Sequence, residues 1–127
     1  MKKVFFSLSI ICTVFLYGQL ITRGDAAAQI NIQYKKHSHN HYEFPVPADQ
    51  PDVYYDSNAQ SIIIDGTGYV TYYDVEITST TNWMVYVSTQ VNGSYDTIDV
   101  SSLPQGEYII TIDSPTGNSF EGFFDTY

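Results

Sequence analysis

Between residues 52 and 127 the apolar residues recur at every second position in short runs, and no window from Gln29 onward carries the i, i+3, i+4, i+7 spacing of an amphipathic helix. A period of two is the signature of strands with one face buried and one face wet, so helical and α/β architectures are set aside. Seven such runs stand out, at 52–55, 60–65, 69–78, 83–88, 95–100, 106–113 and 118–127, divided by turn sequences such as Asp65-Gly66-Thr67-Gly68, Asn92-Gly93 and Ser114-Pro115-Thr116-Gly117. Within them Tyr73, Val75 and Ile77 oppose Tyr72, Asp74 and Glu76. Phe120, Gly122 and Phe124 oppose Glu121, Phe123 and Asp125, while Trp83, Val85 and Val87 oppose Met84 and Tyr86. Two antiparallel sheets packed face to face would bury the apolar rows.

The segment Leu103-Pro104-Gln105-Gly106-Glu107-Tyr108 narrows the class further. In immunoglobulin-like sandwiches a tyrosine opening the penultimate strand returns its hydroxyl to backbone just upstream, and one more strand follows. Leu103 then plugs the core, Gly106 permits the bend and Tyr108 makes the corner. The fold expected is all-β: an immunoglobulin-like two-sheet antiparallel sandwich of about seven strands.

Ahead of the sandwich the sequence reads as an address. Met1-Lys2-Lys3 is a positive start, 4–20 is mostly apolar, and Ala26-Ala27-Ala28 supplies a small-residue cleavage site. This predicts a signal peptide over 1–28, a polar histidine-rich segment over 29–43, and the sandwich domain over 44–127. Cys12, the single cysteine, falls inside the leader, so the mature chain has no thiol or disulfide chemistry. It would carry only Lys35 and Lys36 against 13 carboxylates, a net charge of −11. No Lys or Arg occurs after Lys36, which argues against nucleic-acid and phosphate ligands, since those depend on cations. An exported chain in the periplasm, at the cell surface or outside the cell is the expectation, with no membrane anchor once the leader is removed and a monomeric state.

The stretch from about Phe44 to Tyr127 resembles the small immunoglobulin-like domain of unknown function found in short secreted proteins of Bacteroides-type bacteria. The residues carrying the resemblance are Pro45-Val46-Pro47, Ile62-Ile63-Ile64, Val75-Glu76-Ile77, Met84-Val85-Tyr86, the segment Ile98-Asp99-Val100-Ser101-Ser102-Leu103-Pro104-Gln105-Gly106-Glu107-Tyr108, and Phe120-Glu121-Gly122-Phe123-Phe124. The resemblance implies export and a sandwich, and brings no catalytic residues with it. The Leu-Pro-x-Gly-x-Tyr strand is also similar to the C-terminal sorting domain of a Bacteroidetes secretion route.

Chemistry-bearing residues are few. His37, His39 and His41 alternate, and in an extended strand side chains two apart share a face about 6.6 Å apart, so two of these imidazoles can converge on zinc, copper or nickel with Glu43 as a third ligand, although Lys35-Lys36 beside them favours a solvated polar segment. Asp56-Ser57-Asn58 begins like a calcium loop, but Ser61 and Thr67 stand where glycine and a bidentate glutamate belong. Asp49/Asp52 and Asp96/Asp99 read as solvated faces and turn caps, and no cofactor is expected. With no G-x-S-x-G, no H-E-x-x-H and no mature cysteine, the chain is read as a non-enzyme. Tyr72 and Tyr86, placed outward beside Asp74 and Glu76 with Trp83 nearby, form a candidate carbohydrate platform. Thr97, within Asp96-Thr97-Ile98, resembles a short O-glycosylation acceptor. The function expected is an exported non-catalytic binding or structural module of the cell envelope, its partner an envelope protein or a glycan.

Overall fold

The computed structural model describes residues 27–35 and 46–126, which form nine strands in two antiparallel sheets. The strands are β1 (Ala27–Ile30), β2 (Gln33–Lys35), β3 (Asp52–Asp56), β4 (Ser61–Asp65), β5 (Tyr72–Ser79), β6 (Val85–Asn92), β7 (Tyr95–Asp99), β8 (Gly106–Asp113) and β9 (Ser119–Thr126). One sheet runs β1-β3-β4-β7 and the other β2-β9-β8-β5-β6. Consecutive strands β4 and β5 lie in different sheets, as do β7 and β8, while β4 pairs with β7 and β5 with β8. Each crossover therefore locks the other in place, as Greek-key sandwiches require.

The period-two rows do what their spacing demands. Tyr73, Val75 and Ile77 of β5 face Ile110 and Ile112 of β8 and Phe120 of β9 within one apolar layer, and Val53, Ile62, Ile64 and Ile98 form the opposing layer; all are buried. Each fully buried branched or aromatic side chain is worth about 1.5–3 kcal/mol of transfer free energy, which supplies a core without disulfides. The corner forms as expected: the Tyr108 hydroxyl donates to the Pro104 carbonyl, and Leu103 packs partly buried against the core. Thr126 Oγ1 donates to the same carbonyl at 3.0 Å and accepts from Gly106 N at 3.0 Å, tying the last strand to the corner. Gly106 sits at φ +156°, outside the range that L side chains favour.

Two elements differ from the sequence reading. The segment 29–43 was expected to precede the sandwich, yet β1 joins the four-stranded sheet and β2 the five-stranded one, with Ile30 and Ile32 buried. Ile30, Ile32 and Tyr34 alternate over only a few residues, too short a run to register as a strand beside a leader-like sequence. The chain passes between sheets at Asn31, directly over Gly122. A Cβ on Gly122 would lie 2.7 Å from side-chain atoms of both Ile30 and Ile32 and 3.0 Å from the Asn31 carbonyl oxygen. The second difference is β6, which starts at Val85 and extends to Asn92, with a bulge opposite Ile77/Thr78.

Candidate functional site

The wet face of the five-stranded sheet is where the sequence placed its binding residues. Its composition follows from register. Val85 of β6 pairs with Thr78 of β5, Thr78 with Ile109 of β8, and Ile109 with Phe123 of β9. These four side chains form one outward row across four strands. Phe123 is 56% exposed and Val85 52%, far more than a core-facing position allows. The next outward row, Glu121, Thr111, Glu76 and Ser88, is acidic, and so is the following one, Ser119, Asp113, Asp74 and Gln90. An apolar stripe thus borders an acidic field. Within that field Lys35 Nζ meets Glu121 Oε2 at 2.9 Å, and Gln90 Nε2 donates to Asp74 Oδ1 at 3.2 Å.

The stripe ends at the β5–β6 turn, whose conformation is set by polar side chains. Asn82 Oδ1 accepts from Met84 N at 3.0 Å, Trp83 N donates to Ser79 O at 2.9 Å, and Thr80 N donates to Glu107 O at 3.1 Å. These bonds hold Trp83 at φ +59°, in the left-handed region that a bulky residue enters at a cost of about 1–2 kcal/mol. Nothing is gained by burial in return: Trp83 is 68% exposed and Met84 57%.

Of the sequence-selected residues, Tyr72, Asp74 and Glu76 share the outward face of β5. Tyr86 does not join them. Tyr72 pairs with Asn92, six positions along β6 from Tyr86, so about 20 Å separates the two along the strand. At the bulge the Tyr86 ring stays 38% exposed but leans edge-on against Tyr108 at 5.8 Å. Tyr108 in turn stacks on Phe124 at 5.6 Å, and Phe124 meets Tyr55 of the other sheet at 5.5 Å. Tyr86 is thereby one end of an aromatic chain spanning both sheets. Phe123, Ile109 and Met84 were missed as site residues; Phe123 carried the visible signal, an aromatic on the polar side of an alternating strand.

Asp49 is buried in a cage of hydrogen-bond donors. It was read as a solvated carboxylate, yet it is 2% exposed and enclosed by donors. Thr116 Oγ1 donates to its Oδ2 at 2.6 Å and Asn118 Nδ2 to its Oδ1 at 3.0 Å, while the Tyr73 hydroxyl donates to its carbonyl at 2.6 Å. Burial alone raises its pKa, but the hydrogen bonds from Ser114, Thr116 and Asn118 together outweigh that and leave it below the ordinary 3.8. Burial, with the Asp49 charge nearby, raises the Tyr73 phenol above its usual 10.0 and keeps it a donor.

Asp56 Oδ1 accepts from the backbone N–H of Asn58 and Ala59 at 3.0 and 3.1 Å, so it caps the β3–β4 turn. Among the described residues no three His, Cys, Asp or Glu side chains come together as a metal site. His37, His39 and His41 lie outside the described residues. Thr97 is exposed on β7, opposite Ile63.

Comparison with known proteins finds no matching family model and no match among curated proteins. A solved structure matches with a TM-score of 0.63 at 13% identity, covering 80% of this chain and 99% of the other: a DUF3244 family protein from Bacteroides vulgatus. That protein has an immunoglobulin-like β-sandwich fold, so the likeness read from the strand and corner residues is matched in three dimensions, and it is a likeness of fold.

Proposed function

We propose that this chain is an exported, non-catalytic binding module of the bacterial cell envelope whose contact surface is the apolar row Phe123-Ile109-Thr78-Val85 together with Trp83 and Met84. The observation that carries the reading is Trp83, held in a left-handed conformation and left exposed. Local hydrogen bonds hold the conformation, but no burial of the ring accompanies it, and strained backbone clusters at surfaces in use. An apolar stripe bordered by charge has the layout of a recognition surface, an apolar centre beside a polar rim. The one buried carboxylate among the described residues, Asp49, has both oxygens occupied by donors, which supports a structural rather than catalytic use of it. The leader-like sequence supports export.

A photo-crosslinking residue at position 123, compared with one at Thr97 on the other sheet, tests this in intact envelopes. A discrete adduct from position 123 alone is the expected result; equal labelling at both positions overturns the reading. Because Trp83 is the chain's only tryptophan and is exposed, a glycan ligand is favoured as a second reading, and it is checked by Trp83 fluorescence during oligosaccharide titration. Unchanged emission at saturating glycan eliminates it.

A further inference from the structure

Strand β6 has a pairing partner, β5, on one side only among the described strands. Natural sheets protect such edges with charges, proline, bulges or shortness. The other three edges follow that rule: β1 has four residues, β2 has three and carries Lys35, and β7 carries Asp96 and Asp99. β6 has eight residues, its bulge lies only at the Val85-Tyr86 end, and no charged residue occurs anywhere from Ile77 to Tyr95 in a chain holding 14 Asp and Glu. We infer that the β6 edge binds a second copy of this chain, the two β6 strands pairing antiparallel about Thr89 to join the five-stranded sheets into one.

The register follows from hydrogen-bond alternation. Gly93 N donates to Thr71 O at 3.0 Å, so in the β5–β6 ladder residues 91, 89 and 87 also face β5, and Ser88 and Gln90 direct their N–H and C=O groups to the open edge. Beyond them the edge closes on both sides. Asn92 N is taken by Asp96 Oδ2 at 2.9 Å, and the bulge at Val85-Tyr86 interrupts the other end. Two open residues spaced i, i+2 fit a two-fold axis: Ser88 of one copy exchanges both bonds with Gln90 of the other, and the reverse, while Thr89 faces its own copy. Isologous contacts of this kind are the common route to a closed dimer.

Charge permits the same occupant. In the paired arrangement the nearest acidic rows, Asp74 and Glu76 of each β5, are three strand spacings apart, about 14 Å. That exceeds the Debye length of about 8 Å at physiological ionic strength but not the value of about 30 Å at 0.01 M salt. Uncharged β6 acts as the spacer that lets two acidic molecules meet, and the association strengthens with salt. The joined sheet would present both apolar stripes on one face.

Sedimentation velocity of the purified chain at about 0.01 M and about 0.5 M NaCl tests the inference. A monomer at low salt that becomes a dimer at high salt is expected; a monomer at both overturns it. Ser88→Pro removes an N–H that points away from β5, which an edge strand tolerates, and it must abolish the dimer while preserving the circular dichroism spectrum. A Ser88→Pro protein that still dimerises overturns the assignment to this edge. In a Cys12→Ser background Thr89→Cys must form disulfide dimers faster than the exposed control Ser57→Cys, and equal rates count against the register and the proposal with it. Should Ser88→Pro fail to fold, the cysteine pair still decides.

Discussion

Thr116 Oγ1 lies 2.6 Å from Oδ2 of Asp49, 67 residues away in the chain, in a cluster that also holds Asn118 and, through it, Tyr34, whose hydroxyl donates to Asn118 Oδ1 at 3.0 Å. The cluster ties the loop before β3 to the β8–β9 turn and to β2. Removing the acceptor leaves the Thr116 and Asn118 donors without it at a part-buried site. Asp49→Ala should therefore destabilise by about 1–3 kcal/mol, the usual cost of buried polar groups left unpaired. Chemical denaturation with urea measures it, and a change under 0.5 kcal/mol, typical of exposed sites, would show the carboxylate to be dispensable.

The same carboxylate sets an acid limit. Its folded pKa lies below 3.8 while the unfolded chain titrates near the ordinary value, so the native state holds the proton less readily. The resulting stability is present above that ordinary value and is lost as pH falls through the depressed one. Wild-type stability should fall more steeply below about pH 4 than that of Asp49→Asn, which has nothing to protonate there. Parallel acid profiles for the two proteins would count against the cluster as the cause.

How much of this was legible in sequence depends on range. The faces of β5, β8 and β9 follow from period-two spacing within single strands, and the Tyr108 corner follows from a six-residue segment ending at its own donor. Asp49 gave no such signal, because Thr116 and Asn118 are nowhere near it in sequence and Pro47 and Pro51 make its surroundings look like solvated loop. Tyr86 is exposed as expected but does not lie beside Tyr72, because Tyr72 pairs with Asn92 and a bulge shifts the register near Tyr86, neither of which strand periodicity reveals. β1 was hidden because Ala27 and Ala28 serve equally as strand residues and as a cleavage signal, the first pairing with Asp56 and the second with Tyr55, and β2 because it has only three residues.

Gly122 tests the β1–β2 crossover. Its missing side chain is the space occupied by Ile30 and Ile32, and an added methyl would sit 2.7 Å from each. Gly122→Ala should cost about 1–3 kcal/mol, as overpacking of a filled core does. Amide hydrogen exchange should show the loss of protection concentrated in β1 and β2. Uniform loss across both sheets would mean the crossover does not depend on this glycine.

The corner tyrosine makes a separable contribution. Burial raises the Tyr108 phenol above 10.0, with Tyr86 adding to the effect, so its folded form favours the neutral donor. Tyr108→Phe keeps the ring stacked on Phe124 and leaves Thr126 still bonded to Pro104 O, so about 1 kcal/mol is the expected loss, one net hydrogen bond. The sign with pH is opposite to that of Asp49: a raised folded pKa gives stability that is full below pH 10 and declines as pH rises through the folded value. Wild type should lose its advantage over Tyr108→Phe in alkaline urea melts above about pH 10, and an advantage that persists unchanged there would place the contribution of Tyr108 in its ring rather than its hydroxyl.

Substitutions on the outward row should separate binding from folding. Phe123→Ser and Val85→Ser remove apolar surface from positions more than half exposed, so stability should change by no more than about 0.5 kcal/mol, and solubility should rise as the stripe shrinks. Tyr86→Ser at the neighbouring position is the internal contrast, because its ring touches Tyr108; about 0.5–1.5 kcal/mol should be lost there beyond the area term. Thermal melts of the three variants decide the matter. If Phe123→Ser destabilises as much as Tyr86→Ser, the stripe is part of the fold's own packing, and the exposed row loses its claim to be a surface kept for a partner.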